Sequence, residues 1–416
     1  MAKTRSVNPE LLADVARQFY WYERSEKEIG ERLDPKIGQP AVARLLREAR
    51  KRGVVGFEID PKFAVIGSED ESLSREVQRR FRLKNAMVIE LPDNISKDDL
   101  HIALANHAGM KAIATISEGD HICVAGGRTI VQLARFIGRK HPPRSNITIS
   151  PLGGRLWVGS WQIGGPDKLE YPLDADDSAF FLYMAFLNEP GTRFSQISRP
   201  LFAETPREAK RLIAAHCPAL PGGAWNWSLK PPTRAYIGVG ALDAQSGHRI
   251  AEFLARAPVR NQQERPYLAR IAKDLRHALT EAAKNHLPPF GDIANRQFAA
   301  IPVPVDLPGD PTSLGGAYRG ALRVVASVNE RAVVMGWSHL HAIPDVNVIA
   351  GSLLKVNQLW TVLMLGLLHP ASRLCSELTT DNRAAQALIN AHKSFEHASI
   401  QIKTWYADTL PLLFPI

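Results

Sequence analysis

The chain has 416 residues, 45% of them hydrophobic and 22% charged, which is enough apolar content for a sizeable core in more than one domain and excludes a disordered or fibrous protein. Its 51 basic against 42 acidic residues leave a net charge of +9, a modest excess that suits a polyanionic partner without requiring one. Cys123, Cys217 and Cys375 form no Cys-x-x-Cys pair, so neither a disulfide framework nor a thiolate metal centre is indicated. The start MAKTRSVNPE has no apolar signal core, and the longest apolar run, Leu359 to Leu368, is too short to span a bilayer. A cytoplasmic protein with no membrane partner is expected.

The periodic apolar residues from Pro9 to Tyr22 predict a first helix. Ser25 and Glu28 form a capping box for a second, from about Glu26 to Leu33, which Asp34, Pro35 and Gly38 break. Pro40 suits the first position of a third, where Val42, Leu45, Leu46 and Ala49 make an apolar face before Gly53 stops it. This is helix-turn-helix grammar. The opposite face carries Arg44, Arg47, Arg50, Lys51 and Arg52 against Glu48 alone, as a helix lying in a major groove would; a solvated basic face is the plainer alternative. VVGFEID then reads as a short strand or wing, Pro61 to Glu71 as a linker, and the domain boundary is placed near residue 60.

Beyond Leu73 the pattern alternates. Leu73–Phe81 reads as helix, AMVIEL as strand, Lys97–Ile116 as a long helix, and HICVA as a strand running into Gly126-Gly127-Arg128-Thr129. Ile130–Ile137 reads as helix and ITISPLGG as strand. AYIGVG at 235, RVVASV at 323, RAVVMG at 331 and VNVIAG at 346 repeat the strand theme. The expected fold is thus an N-terminal all-α, winged helix-turn-helix domain (1–60) followed by an α/β domain (61–416) with a mostly parallel, Rossmann-like sheet whose ligands bind beyond the carboxyl ends of the strands.

Three glycine turns at strand ends can offer backbone N–H groups to an anion. Gly126 and Gly127 permit close approach, and Arg128 with the Thr129 hydroxyl can complete a phosphate contact; an ordinary strand-to-helix turn accounts for the same residues. Gly153-Gly154-Arg155 repeats the arrangement. In Gly351-Ser352-Leu353-Leu354-Lys355 the lysine falls at the start of the next helix, where it opposes the helix dipole unless an anion sits there; an exposed lysine pointing into water is the competing explanation. Gly238 to Asp243 misses the dinucleotide fingerprint by its last glycine, so no nicotinamide or flavin is expected. Asp292, placed at a helix end, can accept a ligand hydroxyl or cap a loop. No cofactor, metal site or catalytic constellation is recognised, and His339 and His341 are expected on the surface.

In order along the chain, DHICVAGGRTIVQLAR, SPLGGRL, RPLFAETPREAKRLI, AYIGVGALDAQSG, PFGDIANRQF, IPDVNVIAGSLLKVNQL and LTTDNRAAQALI, behind the N-terminal helix pattern, resemble the SorC family of sugar-responsive transcriptional regulators. The resemblance implies a C-terminal domain like a non-catalytic relative of the sugar-phosphate isomerase and deaminase fold, a phosphorylated sugar as effector, and dimers or tetramers. It implies an effector pocket of Gly126, Gly127, Thr129, Gly153, Gly154, Asp292, Ser352 and Lys355, with Asp381 at its edge; Arg128, Arg155 and Asp243 join it on the local reading. Gly38-Gln39-Pro40 replaces the family's Ser-Arg-Pro, and Asp381-Asn382 its Asp-Glu.

The expected function is therefore a regulator of double-stranded operator DNA controlled by a sugar or sugar phosphate. Gln39 and Arg44 are assigned to bases, and Lys36, Arg47 and Arg50 to phosphates. A phosphosugar isomerase or deaminase with a DNA-binding appendage, using Asp243, Asp292 or Asp381, is the alternative. A metabolite-binding protein whose N-terminal bundle only oligomerises is a third.

Overall fold

A computed structural model describes residues 8–20, 22–52, 54–55, 66–140, 142–153, 175–195, 203, 205–216, 232–242, 265–284, 288, 290–293, 296–298, 300–307, 318, 322, 325–326, 329–330 and 337–414. The chain divides into two compact units, Met1–Ala64 and Val65–Ile416. VVGFEID from residue 56 onward and RAVVMG lie outside the described residues.

The first unit packs helices α1 (Pro9–Tyr20), α2 (Glu26–Arg32) and α3 (Gln39–Lys51). Both halves of the α2 capping box are made: Glu28 N–H donates to Ser25 Oγ at 3.3 Å, and Ser25 N–H donates to Glu28 Oε2 at 2.8 Å. Val15, Ile29, Val42 and Leu46 close the core, with Leu12, Ala16 and Ala49 beside them. The connection between α2 and α3 folds back so that Ile37 N–H donates to Gly30 O at 3.0 Å. A Cβ on Gly30 would collide with the Ile37 carbonyl. Gly30→Ala is therefore expected to destabilise this unit by about 1–3 kcal/mol, read as lost amide-exchange protection over residues 26–51.

The second unit is an α/β structure. Its elements are β1 (Ser68–Glu69), α4 (Glu71–Phe81), β2 (Asn85–Glu90), α5 (Lys97–Thr115), β3 (His121–Val124), α6 (Arg128–Lys140), β4 (Thr148–Pro151), α7 (Ala175–Met184), β5 (Arg193–Phe194), α8 (Pro206–His216), β6 (Arg234–Leu242), α9 (Arg265–Lys284), β7 (Phe290–Ile293), β8 (Arg296–Phe298), α10 (Trp337–His341), β9 (Asp345–Ile349), α11 (Val356–Leu368), β10 (Glu377–Asp381), α12 (Asn382–Glu396) and α13 (Ile400–Leu413). Among the described residues one sheet runs β1-β2-β10-β9-β6-β3-β4-β5, parallel from β2 to β5, with β1 antiparallel at its edge. The hairpin β7–β8 branches from the far end of β6.

Alternate strand residues feed two cores. Ile122, Val124 and Tyr236 pack with α5, α6 and α7 on one face, while Cys123, Ala235 and Ile237 pack with α4, α11, α12 and α13 on the other. The chain leaves β3 toward β4 in one direction and β6 toward β9 in the other, so the strand order reverses where β3 and β6 lie side by side. In such sheets a crevice opens at that point beyond the carboxyl ends.

Three expectations are corrected. RVVASV is not a strand where it is described: Val325 and Ala326 are helical, and Glu330 N–H donates to Ala326 O at 2.9 Å, with buried Val325 packing into the core whatever its β-propensity. Asp292 is not at a helix end but in β7, opposite Gly240 of β6. His339 is buried, at 3% exposure, and the His341 ring meets the Arg373 carbonyl at 3.2 Å, so neither is a surface histidine.

Candidate functional site

The carboxyl ends of β3, β9 and β10 and the start of α5 meet at one charged site. After β3 the chain turns through Gly126 and Gly127 into α6, whose first residues are Arg128 and Thr129. Gly127 has φ +110°, in the region that disfavours L side chains, and nothing lies within 4 Å of where its Cβ would be. Its bare backbone thus fronts open space at a helix start, the geometry that suits an anion.

Ser96 caps α5 by accepting Asp99 N–H at 3.1 Å, so the first turn of α5 presents Lys97 and, four residues on, His101 along one face. His101 Nδ1 and Thr129 Oγ1 share a hydrogen bond of 2.8 Å, and Arg128 Nη1 stands 3.6 Å from Asp98 Oδ1. Burial first, then the charges of Lys355, Arg128 and Lys97, push the His101 imidazole down to about 4, against the opposing pull of Asp98. His101 is therefore neutral at physiological pH.

Past β9, Gly351 and Ser352 lead into a 3-10 turn, Leu353–Lys355, that runs straight into α11. Lys355 is thus the capping residue of α11, where a cation works against the helix dipole. Burial and Lys97 push its ammonium down, Asp381 opposes, Arg128 pushes down again and Asp292 opposes, leaving it at about 8. Lys97, Arg128 and Lys355 therefore share one electrostatic neighbourhood with His101, with Asp381 and Asp292 offering the countercharge. Lys97, Arg128 and Lys355, faced by Asp98, Asp292 and Asp381, thus stand with a neutral ring and a bare helix start, groups that can meet an anion.

Asp381 is fully buried and its carboxylate is already committed. It accepts Ser352 N–H at 2.5 Å and, capping α12, the N–H groups of Arg383 and Ala384 at 3.1 Å each. That brace holds Ser352 at φ +90°, a conformation rare for a residue with a side chain. Gly351 has no room for anything larger, since a Cβ there would meet the Asp381 carboxylate and the Leu104 side chain.

Gly126, Gly127, Arg128, Thr129, Asp292, Ser352, Lys355 and Asp381 thus gather at or beside the site. Gly153 is buried two residues beyond β4. Gly154, Arg155 and Asp243 lie outside the described residues. Lys97 and His101 were missed by the sequence reading, although Ser96 followed by a lysine and a histidine four apart was the available signal.

In the first unit Arg44, Arg47 and Arg50 are exposed along α3. The Arg44 and Arg47 side chains lie back along the helix, Nε–H to Pro40 O at 3.4 Å and to Ala43 O at 3.5 Å. Lys36 is exposed in the connection, and Gln39 Nε2 donates to Glu26 Oε2 at 3.2 Å, so reading a base with Gln39 requires breaking that bond. Among the described residues no cluster of three or more His, Cys, Asp or Glu could hold a metal ion, and no helix is long and apolar enough to cross a membrane.

No protein-family model and no curated protein matches the chain. Solved structures do. The full-length sorbitol operon regulator SorC from Klebsiella pneumoniae is 17% identical, over 92% of this chain and 100% of that one, with a TM-score of 0.45. A DeoR family transcriptional regulator from Listeria monocytogenes is 16% identical over 76% and 98%, TM-score 0.46. A transcriptional regulator from Streptococcus pneumoniae TIGR4 is 14% identical over 77% and 96%, TM-score 0.48. Each is a likeness at low identity, and none assigns a role to a residue of this chain.

Proposed function

We propose that this protein is a DNA-binding transcriptional regulator whose hold on its operator is set by a phosphorylated sugar bound in the α/β unit. The observation that carries the effector half is that the charges of Lys355, Arg128 and Lys97 all act on His101, which is bonded to Thr129 just past the open backbone of Gly127. A phosphate would lie on the helix start and the cations, and sugar hydroxyls would meet Asp292, Ser352 and the neutral His101. Asp381 acts as a positioning residue through Ser352. Its carboxylate is taken up by three backbone donors, so it is a poor candidate for the general base a phosphosugar isomerase or deaminase would need.

The DNA half rests on the capped helix pair α2–α3 and the exposed arginines of α3. In this reading α3 enters a major groove with Arg44 near the bases, Lys36, Arg47 and Arg50 on phosphates, and Gln39 reaching a base on release from Glu26. A dimer or tetramer would make the operator close to palindromic. The effector must favour one arrangement of the protein over another, because equal affinity for both shifts nothing.

Arg47→Ala tests the assignment. It is expected to weaken binding to all DNA sequences alike and to reduce the slope of log affinity against log salt by about 1, measured by fluorescence anisotropy on a fragment from upstream of the protein's own gene. An unchanged affinity and slope would remove Arg47 from the interface. Steady turnover of phosphosugars by the purified protein would instead make it an enzyme.

A further inference from the structure

The second unit begins at residue 65, and the chain just past that point is fastened to the helix that carries two residues of the effector site. Gly67 takes φ +82°, and a Cβ there would collide with the Glu90 carbonyl and the Leu91 side chain. Ser68 and Glu69 then pair with β2. From the other side His107 of α5, 6% exposed, places Nε2 at 3.3 Å from the Ile66 carbonyl. A carbonyl only accepts, so the ring donates Nε2–H. Burial lowers the His107 pKa, while the backbone at Ile66 and Gly67 and the charge of Glu69 oppose, which leaves the ring neutral with that donor in place.

The same helix starts with Lys97 and His101 and lays Leu104 beside Gly351. Ten residues, about 15 Å of continuous helix, separate Lys97 from His107. We propose that α5 is the element through which an anion bound at Lys97 and His101 acts on the chain leading out of the N-terminal unit, with His107 as its fastening on Ile66. The inference rests on the effector site proposed above. Lys97, Arg128 and Lys355 carry like charges and repel one another. An anion replaces that repulsion with attraction and draws the first turn of α5 toward Lys355. A helix moves as a rod, so the shift is delivered at His107, and Ile66 follows because it is bonded there and the next residue, Gly67, is packed against Glu90 and Leu91.

Amide hydrogen exchange of the full-length chain, with and without inorganic phosphate, tests this in wild type, His107→Gln, His107→Leu and Gly67→Ala. Wild type is expected to show slower exchange at residues 97–104, 127–131 and 352–355, and also at 67–70. His107→Gln, which keeps a donor, retains the response at 67–70. His107→Leu and Gly67→Ala lose it while keeping the response at 97–104. Slowing at the site with residues 67–70 unmoved in wild type would overturn the proposal and leave the effector site standing. A response at 67–70 that survives in His107→Leu would also overturn it. No slowing at 97–104, 127–131 or 352–355 in wild type would instead refute the effector site itself. Should His107→Leu fail to fold, the wild-type and His107→Gln profiles still decide.

Discussion

Asp381→Ala is expected to lower the stability of the α/β unit by about 3–5 kcal/mol and to abolish effector binding. The carboxylate is fully buried and accepts from Ser352, Arg383 and Ala384, with Arg383 Nε another 3.8 Å away. Truncation uncaps α12, which alone costs about 1 kcal/mol, and leaves the Ser352 N–H and the Arg383 guanidinium without their partner, where each unsatisfied group costs about 1–3 kcal/mol. Ser352 also loses the bond that holds it at φ +90°. The segment carrying Lys355 then relaxes toward ordinary backbone geometry, and the anion site loses one of its walls. Asp381→Asn keeps the shape and one acceptor oxygen, so it should lose less. Urea unfolding midpoints of the two variants give the comparison, and an unaltered midpoint in Asp381→Ala would contradict the brace.

Lys355→Ala is expected to weaken binding of a phosphorylated effector by about 1.5–3 kcal/mol, roughly 10- to 100-fold, as for loss of a charge-assisted contact. Its pH dependence has a definite sign. Its surroundings push Lys355 down to about 8, and an anion raises that value, because only the protonated amine attracts it. Affinity should therefore fall above pH 8, by up to about tenfold per unit. Toward lower pH it should fall as the phosphate takes up its second proton near about 6. Lys355→Ala should erase the alkaline limb and leave the acid one, while His101, at about 4, stays neutral throughout. Folding stability moves the other way. Lys355 is depressed below the free value of about 10.4, so folding releases a proton in that window and stability rises between pH 8 and about 10.4. A flat affinity profile across pH 8 would contradict the placement of Lys355 against the anion.

Local signals were legible where the chain is its own context. Ser25 and Glu28 announced α2, Pro40 the start of α3, and the glycines after HICVA a strand-to-helix turn; all stand within a few residues of expectation. Lys355 was picked out because a cation at a helix start is locally unfavourable. Lys97 is also a cation at a helix start, but Asp98 and Asp99 in the same turn mask it, and His101 carries no such mark. Lys97 and His101 reach the site because the chain crosses from β2 at one side of the sheet through α5 to β3 in its middle, a non-local fact. Asp292 was misplaced for a related reason: its short strand is held on one side by the distant β6 and on the other by the neighbouring β8. RVVASV has a strand's composition, but the buried environment of Val325 is served by a helix. Asp381 was placed at the pocket edge by the family resemblance alone, and no local pattern announced its brace, because its three donors come from Ser352 and from the first residues of α12.

In this proposal one anion site governs one DNA-binding helix. Anisotropy of the full-length protein on a labelled fragment from upstream of its own gene, titrated at fixed salt with a panel of sugar phosphates, tests it most directly. One compound should shift the DNA affinity of wild type, and the shift should vanish in Lys355→Ala while that variant still binds the fragment. Specific DNA binding that no sugar phosphate alters, or a shift that persists undiminished in Lys355→Ala, would contradict the account.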